Sequence, residues 1–168
     1  PGARVAVALT GPDIDREALT RGQVLGPDPG WPPSRMLTAR VRVLPDTGWE
    51  LVDGQRVRVH LGTAEVMARC VVLWPEAEAR DRVGAGEWGR VELRLESSVS
   101  ARVGMSMVIR AWSPVTTIAG GIVAESHPPR RAGSAPTALL ERRIGDDPVA
   151  RLDAALAEKA VRDTVAEP

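Results

Sequence analysis

Between Thr38 and Ala124 apolar and polar residues alternate in short runs with a period of two. That is the pattern of strands that bury one face, because successive side chains point to opposite sides of the pleat. Thr38-Ala39-Arg40-Val41-Arg42-Val43-Leu44 and Gln55-Arg56-Val57-Arg58-Val59-His60-Leu61 alternate cleanly, as does Trp88-Gly89-Arg90-Val91-Glu92-Leu93-Arg94-Leu95-Glu96. Glu65 to Trp74 is more continuously apolar and reads as a central strand buried on both faces. Met107–Trp112 and Thr116–Ala124 complete the set, and Arg80 to Gly86 reads as a polar loop. About six strands in under a hundred residues, with turn signals between them, predict a closed antiparallel barrel or a sandwich. The fold class is mainly β.

The pattern changes towards both ends. Arg4–Leu9 and Arg21–Leu25 predict two further strands, separated by Thr10-Gly11-Pro12-Asp13. Gly26 to Pro33 is rich in proline and reads as a linker. After His127-Pro128-Pro129-Arg130-Arg131, the stretch Ala132-Gly133-Ser134-Ala135-Pro136 has the composition of a flexible linker. Thr137 is placed to cap a helix through Ile144. Asp146-Asp147-Pro148 is a second helix start, with Val149, Leu152, Leu156 and Ala160 on one face. A short α-helical tail is therefore expected. The division is 1–33 as the end of one unit and a linker, 34–127 as the barrel, and 128–168 as linker and helices. With Pro1 in place of an initiator Met and a last residue inside a charged helical pattern, the chain is expected to be a piece of a larger protein.

Apolar residues make up 43% of the 168, enough for a core, and no apolar run is long enough to span a bilayer. The formal net charge is zero, which excludes a polycation that coats nucleic acid by bulk charge but not a local basic stripe. The alternation supplies one: if Val57, Val59 and Leu61 face a core, then Arg56, Arg58 and His60 face outwards. An ordinary solvated sheet face has the same pattern. Lys159 is the only lysine. Arginine suits planar, bidentate contacts to phosphate, although a GC-rich genome gives the same bias. The chain has no Phe or Tyr, so only its five tryptophans offer stacking platforms.

Catalytic chemistry finds little support. There is no G-x-x-x-x-G-K-[ST] loop, and with no Asn there is no Asn-Lys-x-Asp guanine-reading motif. His60, His127 and Cys70 lack metal-ligand spacing. Ser113, His60 and Asp53 form a triad only on paper. Glu76, Glu78 and Asp81 read as a solvated turn. Cys70, in the run Val66–Leu73, reads as a small core residue. The chain is expected to be non-enzymatic, with no catalytic residue, metal or cofactor of its own.

Three segments resemble a known family. Ala3-Arg4-Val5-Ala6-Val7-Ala8-Leu9-Thr10-Gly11 with Leu19-Thr20-Arg21-Gly22-Gln23-Val24-Leu25 is similar to the end of the second domain of translational GTPases related to elongation factor Tu. Ala8 stands where many members carry Asn, and Gln23 where they carry Asp. Gly54-Gln55-Arg56-Val57-Arg58-Val59-His60-Leu61-Gly62-Thr63-Ala64-Glu65-Val66 resembles the third domain of selenocysteine-specific elongation factors, with its V-x-x-H-x-G-T-x-E-V run. Ser113-Pro114-Val115-Thr116-Thr117-Ile118-Ala119-Gly120-Gly121-Ile122-Val123 is similar to the strand S-P-x-x-T-I-G-G-G-x-V that closes the same domain, Ala119 replacing the first glycine.

The resemblance covers roughly residues 3 to 131 and implies a Tu-like barrel, the end of a second Tu-like barrel before it, and a winged-helix region after the tail. It implies a cytoplasmic translation factor whose GTP and Mg are held by a domain preceding Pro1. The implied partners are selenocysteinyl-tRNA, that GTP-binding domain, and, through further domains, the ribosome and the selenoprotein mRNA hairpin; no membrane is implied. A-form RNA is recognised through phosphates and 2′-hydroxyls. By position, the resemblance makes Thr63, Arg110, Ser113, Thr116 and Thr117 the foremost RNA-binding candidates. Arg56, Arg58 and His60 follow, with Arg130 and Arg131 at the exit of the barrel. The barrel of another Tu-like GTPase, or a barrel that only packs on protein, are the alternatives.

Overall fold

The computed structural model describes residues 5–12, 14, 17, 19–26, 32–73 and 80–128. Eight strands follow in chain order: β1 (Ser34–Val43), β2 (Leu51–Val52), β3 (Arg56–Leu61), β4 (Ala64–Leu73), β5 (Arg82–Val83), β6 (Trp88–Val99), β7 (Ser106–Ala111) and β8 (Thr117–Glu125). Six close into an antiparallel barrel in the order β1-β6-β4-β3-β7-β8, and β8 returns to pair with β1. Closure leaves no unpaired edge. β2 and β5 form a separate two-stranded ribbon.

Alternation builds the interior as predicted. Val57, Val59 and Leu61 of β3, Val41 and Val43 of β1, and Val91, Leu93 and Leu95 of β6 are buried, with Ile109 of β7 and Ile118 of β8. Complete burial of an aliphatic side chain of this size contributes about 1.5–3 kcal/mol. This core is what holds the six strands in register. Cys70 lies within it, and burial pushes its thiol up to about 12, so it is a packing group and not a nucleophile at neutral pH.

Two devices shape the barrel beyond simple alternation. The β3–β4 hairpin turns on Gly62-Thr63, with Gly62 at φ +58°, as a two-residue turn with glycine first requires. Between β7 and β8 the register slips: Ile109 faces Ala119, but Arg110 faces Thr117. Ile118 is the extra residue of this bulge, and both it and Ala119 are buried. The bulge thus turns Thr117 onto the outer face beside Arg110. At Gly121, any Cβ would run into the Arg40 carbonyl and lie 2.9 Å from Val41 Cα, so β8 approaches β1 closely only because this side chain is absent.

Four expectations are corrected. The run Glu65 to Trp74 is not buried on both faces, since Glu65 and Arg69 of β4 are exposed and only the alternate positions Val66, Ala68 and Cys70 are sealed. The apolar Met67, Val71 and Leu73 merely make the outer face of β4 read as core. The polar loop Arg80 to Gly86 contains β5, whose Val83 packs with Leu51 of β2 in the core. Among the described residues, neither Arg4–Leu9 nor Arg21–Leu25 forms a strand. A strand holds only against a partner, and Val5 and Val7 are 74% and 62% exposed. The segment instead lies against the hairpin: Arg21 Nε donates to the Thr63 carbonyl at 3.0 Å, beside an open cleft of about 790 Å³ shared with Ser97–Ser100. The helices expected after residue 128 lie outside the described residues.

Candidate nucleic-acid interface

Pairing order decides which outward side chains meet. β3 lies between β4 and β7, so the alternation that sends Arg56, Arg58 and His60 outwards also sets each against a defined neighbour. Arg58 stands opposite Arg110 of β7, and Arg110 stands opposite Thr117 of β8. A row Arg58–Arg110–Thr117 therefore crosses three strands on the outer face. Strands about 4.8 Å apart bring the two guanidinium stems close together.

Each arginine is held in its own way. Arg56 makes two bonds to the Glu96 carboxylate, at 2.9 and 3.0 Å, and its guanidinium lies 4.3 Å from the centroid of the Trp112 ring. Arg58 pairs with Glu65 and reaches the same ring at 5.7 Å. The hydrogen bond from Arg58 holds the Glu65 carboxyl below the usual carboxylate range. His60 Nδ1 stands 3.9 Å from the other Glu65 oxygen. Arg110 has no carboxylate within pairing distance among the described residues, and donates instead to the Val115 carbonyl at 3.2 Å. The Nε atoms of Arg58 and Arg110 are buried without a hydrogen-bond partner among the described residues. Leaving such a donor unmade costs about 1–3 kcal/mol. Two like charges in register also weaken a sheet. The arrangement favours an anion outside the barrel more than it favours the barrel itself.

The sequence-predicted residues divide into groups. Arg56, Arg58, Arg110 and Thr117 come together. Thr116 is half-buried, and its carbonyl accepts the Ala111 N–H at 2.8 Å, so it fixes the backbone next to Arg110. Ser113 is exposed in the loop that follows Trp112, at the same end of the barrel. Thr63 does not join them. It sits at the opposite end of β3, and its carbonyl is taken by Arg21. Arg130 and Arg131 lie outside the described residues.

Sequence reasoning missed three contributors. Trp112 is 47% exposed and is gripped by two arginines. Arg69 of β4 stands between Arg56 of β3 and Arg94 of β6, in register with both. The signal for Arg69 was present, because it alternates with Ala68 and Cys70, but the apolar run around it hid the phase. Arg94 alternates with Leu93 and Leu95, so its outward direction was legible too, but no local run shows what Arg94 or Trp112 faces across strands.

Among the described residues no group of three or more His, Cys, Asp or Glu is placed to hold a metal ion. No helix among them is long and apolar enough to cross a membrane.

Comparison with known proteins agrees with the architecture. A family model described as the β-barrel domain of the selenocysteine-specific elongation factor matches residues 38–130, more than half of the chain. The chain is also similar to a selenocysteine-specific elongation factor from Desulfomicrobium baculatum, with 28% identity over 120 residues. That match takes in 71% of this chain but 18% of the relative, so the chain spans under a fifth of that protein's length.

Proposed function

The chain belongs to the β-barrel domain family of selenocysteine-specific elongation factors, and on that premise we propose that it is the non-catalytic, tRNA-holding barrel of such a factor. Residues 1–33 would be the end of a preceding Tu-like barrel, 34–127 the third-domain barrel, and 128–168 the approach to a winged-helix region. GTP and Mg would be bound by another domain of the parent protein. The barrel would hold the stem of selenocysteinyl-tRNA, and other domains would reach the ribosome and the selenoprotein mRNA hairpin.

The observation that carries this reading is the row Arg58–Arg110–Thr117 beside Trp112. Cations and a hydroxyl aligned on a rigid outer sheet are the groups that meet phosphates and 2′-hydroxyls along an A-form stem. No base-reading geometry is required of them. Discrimination between tRNAs would then come from the shape and length of the stem.

The test is binding of the 168-residue chain to selenocysteine tRNA and to an elongator tRNA across a salt series. Affinity should fall steeply as salt rises. Arg58→Ala and Arg110→Ala should each reduce the slope of log K against log salt by about one. A folded chain that binds neither tRNA overturns the proposal and leaves a barrel that packs only on protein.

A further inference from the structure

A second line of arginines starts on β3 one step along the strand from Arg58 and runs the other way round the outer surface, across β4 to β6. Arg94 of β6 is in register with Arg69 of β4, and Arg69 is in register with Arg56 of β3. Cross-strand partners share a face, so all three point outwards, and all three are exposed. With strands about 4.8 Å apart, the row is roughly 10 Å long at the backbone. Trp112 lies beyond Arg56 at one end of it.

Like charges directly opposed across strands destabilise a sheet. Here three are opposed in sequence, and the compensation is uneven. Arg94 Nε donates to Glu92 at 2.7 Å, and Arg56 is held by Glu96. The middle residue, Arg69, has no carboxylate within pairing distance among the described residues and makes one bond at 3.3 Å, to the Gly54 carbonyl. Together the two lines bring five arginines, Arg56, Arg58, Arg69, Arg94 and Arg110, against the three glutamates Glu65, Glu92 and Glu96. The chain as a whole is neutral. The excess is therefore local. The Arg56–Glu96 pair is exposed on both sides, and exposed ion pairs contribute little, so a ligand phosphate can exchange with Glu96; Glu92 is largely covered and holds Arg94 from beneath.

We propose that Arg94, Arg69 and Arg56 form a phosphate-binding track for one strand of an A-form RNA helix, with Arg69 at its centre. Charges along one strand of a nucleic-acid duplex recur about every 3.4 Å of axis. A row of roughly 10 Å is long enough to meet two or more of them. Arginine forks take phosphate oxygens two at a time. Glu96 acts as a stand-in that keeps Arg56 extended over the sheet until the RNA arrives, while Glu92 anchors Arg94. The track rests on the tRNA-holding reading for its biological ligand, but not for its chemistry: it accepts the backbone of a tRNA stem or of any other RNA helix alike.

The experiment uses the 168-residue chain and two probes, selenocysteine tRNA and a short blunt RNA duplex of unrelated sequence, each titrated over a salt series. Arg69→Val should reduce the salt slope by about one for both probes, while the melting temperature holds or rises because the opposed charges are relieved. Glu96→Gln should strengthen binding of both, since it releases Arg56. Arg69→Val that leaves affinity and slope unchanged for both probes overturns the track; if Arg110→Ala weakens tRNA binding in the same series, the tRNA-holding reading survives alone. Loss with Arg69→Val but not with Arg110→Ala supports the track and counts against the cradle residues. Glu96→Gln that weakens binding also overturns the track, because the carboxylate would then be ordering the face and not competing for it.

Discussion

Among the described residues two arginine–tryptophan stacks stand on opposite sides of this barrel, and only one of them belongs to the face we propose for RNA. In strand order β6 lies across the ring from β7, and β1 lies across from β3. On the β1–β6 side Arg40 lies 4.6 Å over Trp88, and Trp88 is 51% exposed. On the β3–β7 side Arg56 lies 4.3 Å over Trp112. The stacks themselves are nearly alike; their neighbours are not. Across β6, Arg40 faces Arg90, so cations stand in register on this side too; across β8, Arg40 meets Ile122 and Arg42 meets Gly120, which offer no hydroxyl. Arg110 meets Thr117, placed there by the bulge, and Arg56 continues into Arg69 and Arg94. A stacked arginine is thus a way to cover an exposed indole on either side. What distinguishes the Trp112 side is the Thr117 hydroxyl in register with Arg110 and the longer row of three arginines beside it.

Four variants act on this comparison. The largest effect comes from removing the layer on which both sides rest. Leu93 is fully buried, with Leu37 on one side and Cys70 on the other. Leu93→Ala should cost about 2–5 kcal/mol in chemical denaturation, degrading both faces together. Gly121→Ala should break one side more than the other. It forces a methyl group against the β1 backbone under Arg40, and should cost about 1–3 kcal/mol while displacing the Trp88 side first, as read by the two indole NMR signals.

The third variant leaves the fold alone. Arg40→Ala should change stability by under about 1 kcal/mol and leave the salt dependence of RNA binding unaltered, whereas Arg58→Ala at similar cost to stability should reduce it. The smallest effect is electrostatic. In Arg58→Ala the Glu65 carboxyl should titrate nearer its ordinary value, followed by NMR, because its main hydrogen-bond donor is gone. The lowered folded value means that the pair stabilises the barrel above the ordinary Glu pKa. The contribution is lost as pH falls through the folded value, so the variant should lack that part of the acid response.

The interior was legible in the sequence because a buried face repeats every second residue, and Val57-Val59-Leu61 or Val91-Leu93-Leu95 state it without help from any neighbour. The β2–β5 ribbon was not, since two-residue strands carry no period. The bulge at Ile118 was not, since Thr117-Ile118-Ala119 reads equally well in either phase. The outer face was legible only by halves. Alternation says that Arg58 and Arg110 point outwards, but not that they are opposed, because strand order is a property of closure and not of any local run. For the same reason Thr63 belonged by motif to the candidate set, yet the chain folds Arg21 onto it and sets it at the far end of β3. Where apolar residues also occupied outer positions, as in β4, the phase itself was obscured, and Arg69 went with it.

The central claim is that the surface running from β7 through β3 and along the Arg56–Arg69–Arg94 row, and not the Arg40–Trp88 stack, receives RNA. The most direct measurement follows the indole N–H signals of Trp112 and Trp88, assigned by single Trp→Phe variants, while selenocysteine tRNA is added to the chain at low salt. A progressive shift of Trp112, with Trp88 unmoved and the shift reversed by added salt, is the predicted result. A shift confined to Trp88, or none at Trp112 under conditions where the chain binds tRNA, would contradict it.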